Sequence, residues 1–403
     1  MRIKETITNI QLPEQYSKNG KECFLDPYRK RLIEITPEEI VRQKIAVYCE
    51  KTLKVPTEMI MLEVPMSHYL QGARGRADII IHTPTDNNMI RALAVVECKK
   101  EDVVLSDKVV EQVMNYTDIV GANYFIITNG IDIKMAKYDE DKDMYTYLTE
   151  LLDYDEMLDD RGMPIPSGEK LVRFTINELQ DYRKLNEYNE MGPWIYGEDT
   201  PKKLRHFIVN LYQSLLDTEH RLKLARFKNF AIVKDLGVRY MDYSNAGAGH
   251  FIGDYRSFLI EDSQGDSQIL SFSIFGTVAA TPLDKLGTKR KSYSTLICAI
   301  DKFKVSKTIL EYNLDKYLLM GNEVKFQHDG RISSLPSEEL RRYVLDNAEL
   351  INCCNGMLEF GKLPKDEILY LDAERENKLM YAFIEYALLR ERYRNYKKKS
   401  GKR

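Results

Sequence analysis

Residues 76–100 read RADIIIHTPTDNNMIRALAVVECKK. Two apolar runs flank a polar turn, the pattern of strand, turn and strand. Both runs are apolar on both faces, as central strands are. Yet Asp78, Glu97 and Lys99 sit inside them. Side chains alternate along a strand, so Glu97 and Lys99 share a face, and Asp78 falls in register with Arg76, Ile80 and His82. A hairpin connection would place Asp78 beside Glu97. Two carboxylates in one partly buried spot repel, and burying either alone is costly. A divalent cation removes both problems. Mg²⁺ is typically held by one or two carboxylates with waters and substrate phosphate oxygens. A lysine beside it can orient water or stabilise charge building on phosphate. The alternative is an inter-strand salt bridge at a sheet edge.

The flanking sequence extends the pattern. ITPEEIVRQKIAVYCEKTL, from Ile35, predicts a helix with Thr36 as N-cap, Pro37 at the first helical position and Glu39 closing a capping box. Glu39 as a further metal-site acid is the weaker alternative. MIMLEVPM, residues 59–66, predicts a strand. SDKVVEQVMNYTDIVGA, from Ser106, predicts a helix. Gln112 and Tyr116 lie on one face of it, being four apart. NYFIITNG predicts a short buried strand stopped by Asn129 and Gly130, and a hairpin follows. Helix, three strands, helix, strand is the order of a mixed α/β sheet.

Asp78 on one strand, Glu97-x-Lys99 on the next, then Gln112-xxx-Tyr116 on a helix and Thr128-Asn-Gly ending a strand form an ordered set. With the TPEE.VRQ helix before it, this set resembles the PD-(D/E)xK nuclease superfamily, and within it the N-terminal nuclease domain of type I restriction enzyme R subunits. The resemblance covers roughly residues 30–150. It implies a restriction-endonuclease-like fold and a metal-dependent endonuclease, a hydrolase of phosphodiester bonds. DNA is the expected substrate, in a restriction or phage-defence setting. It also implies the roles. Asp78 and Glu97 hold Mg²⁺ (with Mn²⁺ as a substitute), helped by the backbone carbonyl of Cys98. Lys99 is the catalytic lysine, and Gln112 and Tyr116 position the scissile strand or support the metal ligands. Ala77 stands where the superfamily's name has proline. For Gln112 and Tyr116 the alternative is a helix-surface amide and a core-edge tyrosine. No GxxxxGK[ST] phosphate loop occurs in these 403 residues, so they hold no helicase motor of that kind.

The remaining sequence is less specific. Hydrophobic residues make up 43% and charged residues 30%, enough for sizeable cores in two or three domains. A net charge of −3 confines any nucleic-acid surface to a local basic patch. The six cysteines form no CxxC or zinc-finger spacing and suit a cytoplasmic protein with reduced thiols. No secretory signal and no membrane contact are expected. The expected organisation is a nuclease domain over 1–155, a helical linker over 156–230, a mainly β domain of unknown role over 231–335 and a helical segment with a basic tail over 336–403. A helix is expected within DKFKVSKTILEYNLDKYLL, residues 301–319. NAGAGHFIGDYRSF, with Asp254 and Arg256, reads as a glycine-rich β-turn in preference to a phosphate loop. His328, Asp329 and Arg331 surround an Asp-Gly hairpin turn. The tail from Arg390 to Arg403 has eight basic residues and one acid, interleaved with Tyr393 and Tyr396, and suits a nucleic-acid backbone. The alternative is a solvated terminal helix. Cutting a duplex needs two active sites, so a homodimer or a partner subunit is a reasonable assembly. Two rival readings are a nuclease subunit activated by a partner or ligand, and a nucleic-acid-binding module that does not cleave.

Overall fold

The structure is a computed structural model. It describes residues 3–85, 89–140, 143–159, 171–192, 194–244, 249–277, 291–303, 306–332 and 336–399. The chain divides into two compact units, 1–169 and 170–403.

The first unit opens with a short helix α1 (Lys4–Thr8) and a three-stranded antiparallel sheet of β1 (Gln15–Lys18), β2 (Lys21–Asp26) and β3 (Arg31–Glu34). Helix α2 (Pro37–Lys51) follows, then β4 (Ile60–Pro65), β5 (Arg76–Pro84), β6 (Ile90–Cys98), α3 (Asp107–Val120), β7 (Tyr124–Thr128), β8 (Ile133–Asp139), β9 (Met144–Tyr147) and α4 (Tyr154–Asp159). Strands β4 to β9 form one six-stranded sheet in sequence order. The β6–β7 pair, joined through α3, is parallel and the others are antiparallel. This is a mixed α/β sheet flanked by helices. The two helices take opposite faces. Val41, Ile45 and Cys49 of α2 pack with Ile79, Ile81, Val96 and Ile126. Val109, Val113 and Tyr116 of α3 pack with Ile80, Val95, Phe125 and Ile127. A boundary at 155 falls inside α4, whose Tyr154, Met157 and Leu158 belong to the α2-side core. The PTDNN turn lies partly outside the described residues.

The second unit contains α5 (Ile176–Gln180), α6 (Tyr182–Met191), α7 (Lys202–Leu216), β10 (Ala225–Arg226), β11 (Phe230–Ser244), β12 (His250–Asp262), β13 (Ser267–Gly276), β14 (Ser294–Ile300) and β15 (Lys307–Asn313). Then come α8 (Leu314–Tyr317), β16 (Leu318–Met320), β17 (Glu323–His328), α9 (Ser337–Asn347), β18 (Asn352–Cys354), β19 (Met357–Pro364) and α10 (Glu374–Lys399). Strands β11 to β15 form an antiparallel meander that closes on itself through a β11–β15 pairing. With five strands the first and last run the same way, so this closing pair is parallel. One sheet face (Phe258, Leu270, Phe272, Leu296) shares a large core with α7 and α10. The other holds Tyr243, Tyr255, Phe275 and Ile297. There Arg239 meets Asp301 at 2.8 Å and Ser257 at 2.8 Å.

Several expectations for this half are corrected. The helices within 175–216 are not a separate linker: Leu185, Phe207 and Leu211 lie in the same core as the strands. Residues 307–313 form β15 instead of a helix, with Thr308, Ile309, Leu310 and Tyr312 buried. A short apolar run fits either period, and the β-branched residues decide it. The segment after Ser337 is not helical throughout. Asn355 and Gly356, both at positive φ, turn β18 into β19, as an Asn-Gly hairpin does. The glycine-rich stretch begins outside the described residues, and its Arg256 is fully buried in β12 on Asp235. It therefore reaches no external phosphate. The basic tail is an ordered helix to Lys399. Arg390 donates to the carbonyl of Arg331 at 2.9 Å, Arg392 to that of Asn229 at 3.2 Å, and Lys397 pairs with Glu339. Tyr393 is buried and Tyr396 exposed. The last four residues lie outside the described ones.

Candidate active site

The register of β5 on β6 pairs Ile79 with Val96 and Ile80 with Val95, which sets Asp78 opposite Glu97. Both are buried. The strands are not regular here. Leu62 and Ile79 belong to the α2-side core, whereas Val64 and Ala77, two residues away on each strand, belong to the α3-side core. Residues two apart on a strand should share a face, so the alternation breaks at Glu63 and Asp78. Glu63 carries the break in its backbone, at φ +58. A second irregularity falls between Ile81 and His82. Arg76, Asp78, Ile80 and His82 therefore do not form one row, contrary to simple alternation. His82 is buried, its Nε2 2.7 Å from the Tyr69 hydroxyl.

Each carboxylate has its own partners. Asp78 Oδ2 accepts the Cys98 backbone N–H at 2.7 Å. Asp78 Oδ1 accepts two donors of Arg42, Nε at 3.0 Å and Nη2 at 2.6 Å. Glu97 Oε1 accepts from Lys99 Nζ at 2.5 Å and from Gln112 Nε2 at 2.8 Å. Glu97 Oε2 is buried and has no hydrogen-bond partner among the described residues. Burial pushes the Glu97 carboxyl up to about 7, Asp78 adding to the rise and Lys99 opposing it. Burial also pushes Asp78 up, while Arg42 and the Cys98 N–H pull it back. Burial acts to lower Lys99, but Glu97 outweighs it and the ammonium is held above its ordinary value.

Gln112 is thus brought to Glu97 and Lys99. Tyr116 is not bonded to them: it is buried in the α3-side core, where a Cβ on Gly75 would overlap its hydroxyl. Gly75 has φ +96, so it is required twice over, for backbone and for space. Gly75→Ala is expected to cost about 2 to 3 kcal/mol. Adding Tyr116→Phe should recover the overlap but not the backbone strain, which paired thermal melts would separate. Lys100 points away, to Asp102 at 2.9 Å.

Five residues around the site have no role in the sequence reading, although two of them, Arg42 and Gln43, stand in its TPEE.VRQ helix. Arg42 of α2 binds Asp78, Glu39 and Glu63. Glu63 also meets Arg76 at 3.0 Å. Asp26 and Arg29 hold Glu39 and Gln43 from the loop side. Thr36 caps α2 by accepting the Glu39 N–H at 3.1 Å. The Glu39 carboxylate does not complete a capping box; it goes to Arg29, Arg42 and Gln43 instead. The signal was present, since Arg42 and Gln43 stand three and four residues after Glu39 on one helix face.

A helix carrying Glu39 and Arg42, strands that set Asp78 opposite Glu97-x-Lys99, and a helix glutamine bonded to Glu97 form one constellation. Residues 37–151 match the family of the type I restriction enzyme R protein N terminus. The matched segment begins at α2 and ends just before α4, so it contains every residue of that constellation. No curated protein and no solved structure matches the chain.

Among the described residues no three His, Cys, Asp or Glu side chains converge as a ready metal cage. The available donors are two carboxylates, which is what Mg²⁺ typically takes from a protein. The unpaired Glu97 Oε2, beside a second carboxylate and buried, fits a divalent cation. Among the described residues no helix is long and apolar enough to cross a membrane.

Proposed function

We propose that the first unit is a metal-dependent nuclease that hydrolyses phosphodiester bonds, with DNA as substrate, in a restriction or defence setting. The observation that carries this reading is Glu97. One oxygen is held by Lys99 and Gln112, and the other is buried and without a partner among the described residues, on a residue whose strand register falls opposite Asp78. A bare carboxylate oxygen in such a place is costly unless a cation satisfies it.

Asp78 and Glu97 would hold Mg²⁺ or Mn²⁺, with the Cys98 carbonyl as a further donor. When bound, that ion supplies a Lewis acid for the scissile phosphate. Lys99, fixed on Glu97, places an ammonium beside the same spot and stabilises charge building on the phosphate. Gln112 keeps Glu97 and Lys99 in register. Tyr116 supports the Gly75 loop from below, a positioning role. We place substrate recognition, sensing of a trigger or assembly in the second unit, and two copies or a partner subunit would supply the second cut of a duplex. The protein would act in the cytoplasm.

The test is cleavage of supercoiled plasmid, linear duplex, single-stranded DNA and RNA by the purified chain with Mg²⁺, Mn²⁺ or EDTA. Cutting that needs the metal and disappears in EDTA is the expected result. Binding of nucleic acid without cutting under any of these conditions would sink the nuclease reading for the isolated chain and favour a non-cleaving module or a subunit that needs a partner.

A further inference from the structure

Arg42 is the residue the nuclease reading leaves unexplained, and the inference here rests on that reading. Its side chain is 8% exposed. Its guanidinium reaches Asp78 through Nε and Nη2, Glu63 through Nη2 at 2.8 Å, and Glu39 through Nη1. Glu38 lies 3.5 Å away. One cation thus serves carboxylates from α2, β4 and β5. Both Arg42 contacts to Asp78 fall on the same oxygen, Oδ1, and a carboxylate oxygen has two lone pairs to offer. The other oxygen already accepts the Cys98 N–H. Asp78 is therefore saturated on one oxygen and half used on the other, while Glu97 keeps one oxygen bare.

A divalent cation shared by these two acids and a guanidinium seated on Asp78 would repel each other across a buried space. Three further carboxylates stand ready for the guanidinium. Of these, Glu63 is singled out by its backbone. A glutamate at φ +58 within a strand is uncommon, and here it falls across from Asp78 in the β4–β5 register with its carboxylate on Arg42. We propose that Arg42 is a placeholder cation. It is shared between Asp78 and Glu63 in the metal-free protein and gives up Asp78, held by Glu63 alone of the two, when a divalent cation binds, so that the Arg42–Glu63 pair sets the metal affinity of the site.

The measurement is Mn²⁺ binding to the full chain, by calorimetry and by the electron paramagnetic resonance signal of free Mn²⁺. The variants are Arg42→Gln, Glu63→Gln, the double variant and Glu97→Ala. If Arg42 sits on Asp78 about nine-tenths of the time, freeing that acid tightens binding ~10-fold in Arg42→Gln. Glu63→Gln removes the carboxylate that then holds Arg42 and should weaken binding several-fold. In the Arg42→Gln background it should do nothing further, because Glu63 acts through Arg42. Should Arg42→Gln fail to fold, Arg42→Lys keeps the charge without the fork and should still bind Mn²⁺ more tightly than wild type. Unchanged or weaker binding in the folded Arg42 variants, or a Glu63→Gln effect that persists in the double variant, would overturn the proposal. If wild type binds Mn²⁺ and Glu97→Ala does not, the metal site stands whatever Arg42 does. If neither wild type nor any Arg42 variant binds Mn²⁺, the metal site and the placeholder fall together.

Discussion

Glu97→Gln is expected to lower metal-dependent cleavage by about 10³-fold while making the metal-free protein more stable at pH 8. The amide keeps the shape of the side chain and an oxygen for Lys99 and Gln112. It removes the negative charge that a cation needs. The stability gain has the opposite origin. Burial and the facing Asp78 raise the Glu97 carboxyl from an ordinary 4.5 to about 7. A carboxyl raised on folding favours the folded state only while protonated. Its contribution is fully present below about pH 4.5 and is lost as pH rises through about 7. Above that, the folded protein carries a buried carboxylate at a cost on the order of 1 to 3 kcal/mol. Glutamine is spared it. Melts in EDTA across pH 5 to 8 should show the two proteins converging at the acid end, with the variant ahead at the alkaline end. A variant less stable than wild type at pH 8 would mean that Glu97 is a structural ion-pair partner of Lys99. A functional acid held at a cost to stability would behave the other way.

Arg256→Met should produce the largest loss of stability in the second unit, about 3 to 5 kcal/mol. Arg256 is fully buried and makes a two-pronged contact with Asp235, Nε to Oδ1 at 2.8 Å and Nη2 to Oδ2 at 2.6 Å. It also donates to the carbonyls of Asp217 at 2.6 Å and His220 at 3.1 Å. It therefore fastens β12 to the chain leaving α7. Methionine fills similar volume but leaves Asp235 a buried charge with no cation and takes a donor from three carbonyls, that of Leu215 at 3.4 Å being the third. Urea unfolding of the full chain can be followed by fluorescence of Trp194, the single tryptophan of the sequence, which lies in this unit. Removing Asp235 as well, as Asp235→Leu, should restore part of the loss, because an apolar pair carries no stranded charge. Asp235 also accepts the backbone N–H groups of Leu222 and Gly237, each at 2.9 Å, so a double variant as unstable as the single one would mean that these bonds and the carbonyl contacts outweigh the ion pair.

The site was legible in the sequence where it depends on short spacing. Glu97 and Lys99 two apart, Gln112 four before Tyr116, and a turn joining the two strands require only strand and helix periods. Arg42 meets Asp78 from 36 residues away. That contact follows from how α2 lies across the sheet, which no local pattern encodes. The left-handed Glu63 was hidden for a different reason: glutamate gives no hint of that conformation, as glycine or asparagine would. Tyr116 had the right spacing but faces the Gly75 loop, because packing decided which way its ring lies. In the second unit, residues 307–313 carry too few turns of pattern to separate strand from helix. The Asn355-Gly356 pair, by contrast, was a readable hairpin signal inside a stretch expected to be helical.

Among the described residues the closed meander of the second unit is joined at its seam by a single residue pair, Ser244 with Lys307. Its other junctions are long antiparallel ladders. A ring whose described ladders are this unequal is expected to open at the shortest of them, as an incomplete hoop does. In native-state hydrogen exchange the amides beside Ser244 and Lys307 should lose protection in a local event well below the cost of unfolding the unit. The β12 and β13 amides should hold out until the whole unit unfolds. Spreading of that joint is also the shortest way for water to reach Tyr243 and Tyr255, so the inner face of the sheet would be wetted long before its outer core gives way.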